Sequence, residues 1–157
     1  QMAAAYGGIA MRGTIYTPHL VRQVVTPEGT VRADSRPDIA RAAKLSKKTW
    51  DFLHASLAEV TRTGTAAWAF RGFPIPAAGK TGTAQSPPGD PHGWFAGWAP
   101  ASDPEIVVAV LIEQGGGGGT AAAPVARAIM EAYFGSKLAK SAQSGAQAPD
   151  EDSFPLD

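Results

Sequence analysis

The run Gly79-Lys80-Thr81-Gly82-Thr83-Ala84-Gln85 gathers a cation, two hydroxyls and two glycines into seven residues. Gly-Lys-Thr first suggests a phosphate-binding loop, in which backbone amides cradle a phosphate at the start of a helix. That loop needs glycine at position 74, where Pro74 stands; the nearest alternative, Gly72, leaves six intervening residues instead of four. Downstream, Pro87, Pro88 and Pro91 forbid the helix that such a loop must enter. As a strand the same residues make chemical sense. Lys80 supplies a fixed positive charge, and Thr81 and Thr83, two apart, put their hydroxyls on one face. Gly82 between them lets another backbone come close. A cation, hydroxyls and an open edge suit an extended peptide ending in a carboxylate. A backbone N–H at Thr83 can also face a developing oxyanion.

Other chemistry-bearing residues are sparser. His92 lies near Asp90 on a Pro-rich connection, but two ligands are too few for a metal site, and a structural role is the simpler reading. His19 and His54 read as surface or packing residues. Trp94, Phe95 and Trp98 read as core, with the lining of a groove as the alternative. The five glycines 115–119 lack the Lys or Ser/Thr spacing of a phosphate cradle and read as a mobile loop. The chain has no Cys, which excludes thiol nucleophiles, disulfide scaffolds and cysteine-ligated zinc. No metal and no cofactor is expected.

The elements around these residues follow from period and punctuation. Residues 1–11 have helical spacing (Met2, Ala5, Tyr6, Ile9), ended by Gly13. Thr17 to Val25 is β-branched and apolar, and Thr26-Pro27-Glu28-Gly29 turns it back onto Thr30–Arg32 as a short hairpin. Ser46 caps a helix with Trp50, Leu53, Leu57 and Val60 on one face, and Thr65 to Phe70 adds a helical turn after Gly64. Residues 79–85, Trp94 to Ala99 and Glu105 to Glu113 are extended. The last of these is apolar on both faces, which predicts a central strand covered on both sides. Pro124 opens a final helix with Val125, Ala128, Ile129, Ala132 and Tyr133 facing inward. Short connections make the late strands antiparallel, so the expected class is α+β, an antiparallel sheet covered by helices on both faces.

Composition bounds the function. Of 157 residues, 44% are apolar, enough for a core, and 14 basic groups balance 14 acidic ones, which argues against a dedicated nucleic-acid binder. The charge is uneven. Residues 1–80 carry eleven basic groups and five acids, and residues 81–157 carry three and nine. The longest unbroken apolar run, Ile106 to Ile112, is too short to span a bilayer. From Ser136 the chain is rich in Ser, Gln, Ala and Gly and ends in Asp150, Glu151, Asp152 and Asp157. The organisation is therefore read as a domain portion over 1–135 and a polar, acidic low-complexity tail over 136–157. The opening on Gln1 in mid-helix reads as a fragment or a processed product.

Lys-Thr-Gly alone is a common tripeptide, but its company is specific. GKTGTAQ, then HGWFAGWAP, EIVVAVLIEQGGGGG and AAAPVARAI resemble the end of the transpeptidase domain of class B penicillin-binding proteins, and QMAAAYGGIAMRGTIYTPHLV resembles its preceding helix and strand. The likeness covers about residues 1–134 and is nearest to the elongation-type branch, penicillin-binding protein 2, with the division-specific branch beside it. The resemblance implies a D,D-transpeptidase that crosslinks peptidoglycan by serine acyl transfer and is acylated by β-lactams. In the family a Ser-x-x-Lys serine attacks a D-Ala-D-Ala stem peptide, a Ser-x-Asn motif helps move protons, and the Lys-Thr-Gly strand completes the cleft. By motif match, Lys80 would bond the second-motif serine. Thr81, Gly82 and Thr83 would bind the substrate or β-lactam, the two threonines holding its carboxylate and the Thr83 amide serving in the oxyanion hole. A parent protein of this kind would sit on the periplasmic face of the inner membrane, anchored outside this chain, with an elongation-complex glycosyltransferase as a further partner.

The sequence departs from that pattern decisively. No Ser has Lys three residues later, and the chain contains no Asn, so both other motifs are absent. They are expected on an upstream part of the same protein, and the chain alone is expected to be inactive. The alternatives are a fragment of a serine β-lactamase, which would turn penicillin over instead of staying acylated, and a non-catalytic penicillin-binding sensor or scaffold domain.

Overall fold

The computed structural model describes residues 1–144, with side-chain surroundings for residues 1–136. In chain order the elements are α1 (Met2–Ala10), β1 (Thr14–Tyr16), β2 (Gln23–Val25), β3 (Val31–Asp34), β4 (Ile39–Ala42), α2 (Lys47–Arg62), α3 (Ala67–Phe70), β5 (Ala78–Ala84), β6 (His92–Ala99), β7 (Ile106–Ile112) and α4 (Gly118–Ser144). β5, β6 and β7 form one antiparallel sheet in that order, with Lys80 opposite Ala96 and Phe95 opposite Val110. Strand alternation sorts its side chains onto two faces. On one, Phe95, Ala99, Val108 and Val110 pack with Ala122, Ala123, Ala126, Met130 and Phe134 of α4 and with Phe70 of α3. On the other, Ala78 and Trp98 pack with Ala10 of α1, flanked by Tyr6, Ile9 and Leu57. The α+β sheet between helices expected from sequence is what forms.

The α4 face is the drier of the two, and its sequence shows why. Glycines 79 and 97 are opposite each other, and the Phe95 ring lies over them; a Cβ at Gly79 would stand 2.6 Å from Phe95 Cζ. Three alanines of α4 let the helix settle close to the sheet. Full burial of Phe95 and Met130 contributes roughly 1.5–3 kcal/mol for each side chain. α2 begins as expected at Ser46, whose hydroxyl accepts the Thr49 amide at 3.1 Å, and Trp50 is buried. At its other end the buried Thr61 hydroxyl lies 2.6 Å from the Ala77 carbonyl and 3.0 Å from that of Ala58, tying α2 to the strand that carries Lys80.

Several sequence expectations need correction. Among the described residues the apolar strand expected at Glu105–Glu113 is paired on one side only, with β6. β7 is an edge of the sheet among the described residues and β6 is the middle; Val108 and Val110 are buried while Ala109 and Leu111 are exposed. A continuous apolar run marks a strand without marking which strand it flanks. α4 starts at Gly118, not at Pro124, which sits in its second turn. Its inward side is Ala122, Ala123, Ala126, Met130 and Phe134, and the larger residues expected there are turned out, with Val125 41%, Ile129 43% and Tyr133 36% exposed. Close approach to a glycine-bearing sheet selects small residues over a wide apolar stripe. α4 also continues to Ser144, past Ser136, while residues 145–157 of the expected tail lie outside the described residues.

The hairpin exists with shifted bounds. β2 pairs with β3 around the Thr26–Thr30 turn, and an outer pair that sequence reasoning missed, β1 with β4, continues the ribbon back to the body. Every residue of β2, β3 and β4 is exposed, so no buried face printed a clean alternation on them.

Candidate active-site strand

β5 is the outermost strand of its sheet among the described residues, so one side of its backbone is unpaired. Along it Lys80 and Gly82 share the α1 face with Trp94 and Ala96, whereas Thr81 and Thr83 share the α4 face with Phe95. The cation and the hydroxyls thus flank the free edge from opposite sides. Lys80 is exposed, its ammonium donates to the Thr81 carbonyl at 2.8 Å, and no carboxylate pairs with it among the described residues. It stands at the rim of a cavity of about 270 Å³ lined by Met2, Tyr6, Thr81, Gly82 and Trp94. Partial burial in that apolar lining pushes the Tyr6 phenol above its usual pKa.

Thr81 is half-buried and its hydroxyl lies 2.6 Å from the hydroxyl of Thr65, in the turn between α2 and α3. Thr83 is exposed near the outer end of the strand. Gly82 has its α-carbon under the Trp94 side chain; a Cβ there would come within 3.2 Å of Trp94 Cβ. The N-terminus of α4 closes on the same strand from above. A Cβ at Gly118 would collide with the carbonyl oxygens of Gly82 and Trp94, and one at Gly119 with the carbonyl of Thr65. The five-glycine segment is therefore not the plain mobile loop expected from sequence: its last two residues are helical, and Gly118 is buried against the sheet. The positive end of the α4 dipole consequently lies beside Thr81 and favours negative charge there.

The histidines have structural partners. His92 opens β6, and its Nδ1 accepts the Gln114 amide at 2.9 Å, holding the end of β7 to the start of β6 while Gln114 adopts φ 52°. His54 Nε2 is 2.8 Å from the Ile9 carbonyl and its ring is tilted 5.1 Å from Trp98, which joins α2 to α1. His19 is exposed on the β-ribbon. Of the aromatics, Phe95 and Trp98 are wholly buried, and Trp94 alone lines the cavity by Lys80. Sequence reasoning missed Met2, Tyr6 and Thr65, which reach the strand only through tertiary packing.

The fold is that of the transpeptidase class of domains: the D,D-transpeptidase domain of a peptidoglycan glycosyltransferase from Eggerthella lenta superposes with a TM-score of 0.74 at 34% identity, covering 87% of this chain and 32% of that one. Within that class the chain belongs to the class B penicillin-binding protein family, through a match of residues 1–131 to the penicillin binding protein transpeptidase domain. It is 35% identical over 72% of its length to penicillin-binding protein PbpB of Mycolicibacterium smegmatis, and 31% identical over 88% to the peptidoglycan D,D-transpeptidase MrdA of Haemophilus influenzae. It spans 19% and 24% of those two proteins. Among solved structures, penicillin-binding protein A of Mycobacterium tuberculosis, as its ceftriaxone acyl-enzyme complex, superposes with a TM-score of 0.74 at 29% identity, covering 83% of this chain and 31% of that one.

Proposed function

We propose that this chain forms the Lys-Thr-Gly wall of a peptidoglycan D,D-transpeptidase. The protein bearing it crosslinks stem peptides ending in D-Ala-D-Ala. A serine from a Ser-x-x-Lys motif outside these 157 residues attacks the penultimate D-Ala carbonyl and expels the terminal D-Ala, which leaves with the proton lost by the serine. The acyl-enzyme then passes its acyl group to an amine of a second stem peptide, and the serine recovers its proton. β-Lactams enter the same path as carboxylate-bearing mimics of the peptide and remain bound as the acyl-enzyme.

The observation that carries this reading is the unpaired edge of β5, where Lys80 stands without a carboxylate partner among the described residues, beside the apolar cavity under Trp94. An extended peptide laid along that edge finds backbone groups for pairing, the Lys80 charge on one side and the Thr81 and Thr83 hydroxyls on the other. In this reading Lys80 fixes the second-motif serine and draws the anionic peptide in, Thr81 and Thr83 hold its carboxylate, and the Thr83 amide stabilises the oxyanion. No helix among the described residues is long and apolar enough to cross a membrane, so an anchor to the membrane's outer face would be supplied elsewhere in the protein.

A fluorescent penicillin tests the proposal on the full-length protein. Stable covalent labelling that Lys80→Ala slows by about a hundredfold supports it. Labelling that decays through rapid turnover assigns a β-lactamase instead, and no labelling leaves a non-catalytic scaffold.

A further inference from the structure

Thr65 and Thr81 bring two hydroxyl protons to one 2.6 Å contact, and neither hydroxyl has another hydrogen-bond partner among the described residues. One proton closes the mutual bond, so the pair retains one donor that nothing in the fold consumes. The turn that presents Thr65 is built tightly around it. Gly64 sits where a Cβ would come within 2.8 Å of Val60 Cα, Ala66 is wholly buried, and the Thr65 carbonyl lies under Gly119 at the start of α4. Thr65 is thereby clamped between a helix end and the β5 edge, with its hydroxyl aimed at Thr81.

Resting on the transpeptidase reading, we propose that Thr65 is a positioning residue for the carboxylate of the substrate. Its hydroxyl donates to Thr81 Oγ1, which holds the Thr81 side chain in one rotamer and commits the Thr81 proton outward, to the incoming anion. With the direction reversed, Thr81 would present only lone pairs to a carboxylate and repel it. The ligand's charge selects the productive direction, and the chained bonds strengthen each other. The α4 N-terminus, held over the same turn, adds to the preference for a negative group. Thr65 touches no substrate atom in this arrangement and acts only through Thr81.

The experiment compares acylation of the full-length protein by a penicillin and by the methyl ester of that penicillin, which lacks the carboxylate. Thr65→Val should lower the acylation rate constant for the free acid about tenfold, the scale of a hydrogen bond to a charged group, and leave the ester unchanged. Thr65→Ser, which restores the hydroxyl, should recover the acid rate. In a Thr81→Val background Thr65→Val should cost nothing further. Equal losses on acid and ester would make Thr65 a structural staple and overturn the proposal, as would an additional loss in the Thr81→Val background, which would mean direct contact. If Lys80→Ala and Thr81→Val both leave acylation intact, the transpeptidase reading of this strand fails. If they slow it and Thr65→Val does not, the positioning role alone fails.

Discussion

The two faces of the β5–β6–β7 sheet are built from the same three strands and differ in almost everything else. The α4 face is closed: Phe95, Val108 and Val110 meet three alanines and Met130, and glycines take the positions where backbones nearly touch. The α1 face is closed only over Trp98 and Ala78; toward the free edge it opens into the cavity of Met2, Tyr6, Trp94 and Lys80. Alternation along a single strand therefore separates two duties. Residues pointing one way stabilise the sheet, and Lys80, pointing the other, stands exposed at the cavity. Only Thr81 and Thr83 cross the division, lying on the α4 side but beyond the reach of its core.

If that division is real, truncations on the two faces should fail in different ways. Phe95→Ala removes a wholly buried ring that also covers Gly79 and Gly97, and should destabilise the domain by about 3–5 kcal/mol in urea unfolding. A loss below 1 kcal/mol would mean that the α4 face is not the core. Lys80→Ala should do the reverse. It should leave the unfolding midpoint nearly unchanged, because the side chain is exposed and has no ion-pair partner among the described residues, while penicillin acylation of the full-length protein falls by about a hundredfold. A large stability loss at Lys80 would erase the contrast.

How much of this was legible in the sequence depends on whether the deciding contact was local. The Ser46 cap, the α2 face around Trp50 and the extended Lys-Thr-Gly run are signalled by residues within a few positions of one another, and so is the turn at Thr26–Gly29. The neighbours of β7 are not local information: the apolar heptad marks a strand and carries no signal of which strands flank it, and among the described residues only β6 does. Nor is the inward side of α4, where the helical period offered two stripes and the closeness of the sheet chose the alanines over Val125, Ile129 and Tyr133. Glycines 118 and 119 show the limit most clearly. In sequence they are two members of a run of five; in the fold they are the only residue type that fits against the carbonyls of Gly82, Trp94 and Thr65. The Thr65–Thr81 contact joins residues sixteen apart and carries no sequence signature.

Gly118 offers the next test, since it lies where the closed face meets β5. Gly118→Ala drives a Cβ into two backbone carbonyls that cannot rotate away, and overpacking of that kind costs about 1–3 kcal/mol. The displaced α4 terminus should also shift Thr81, so acylation should slow together with the loss of stability. A variant that loses stability and keeps its acylation rate would show that α4 adjusts while the strand does not.

The smallest effect concerns Tyr6 and asks how dry the open face is. Burial raises the folded-state pKa of its phenol above the ordinary value near 10. Between the unfolded and folded pKa values the folded protein keeps a proton that the unfolded chain has released. The Tyr6 contribution is therefore fully present below about pH 10 and is lost as pH rises through the folded value. A phenolate absorbance titration, with Tyr6→Phe subtracted, should place the Tyr6 transition above the ordinary tyrosine value. If Tyr6 titrates at the ordinary value, water reaches the cavity freely, and Lys80 faces a solvated edge instead of a lined cleft. If a penicillin bound in the cleft raises the Tyr6 value further, the ligand is closing the face that the fold leaves open.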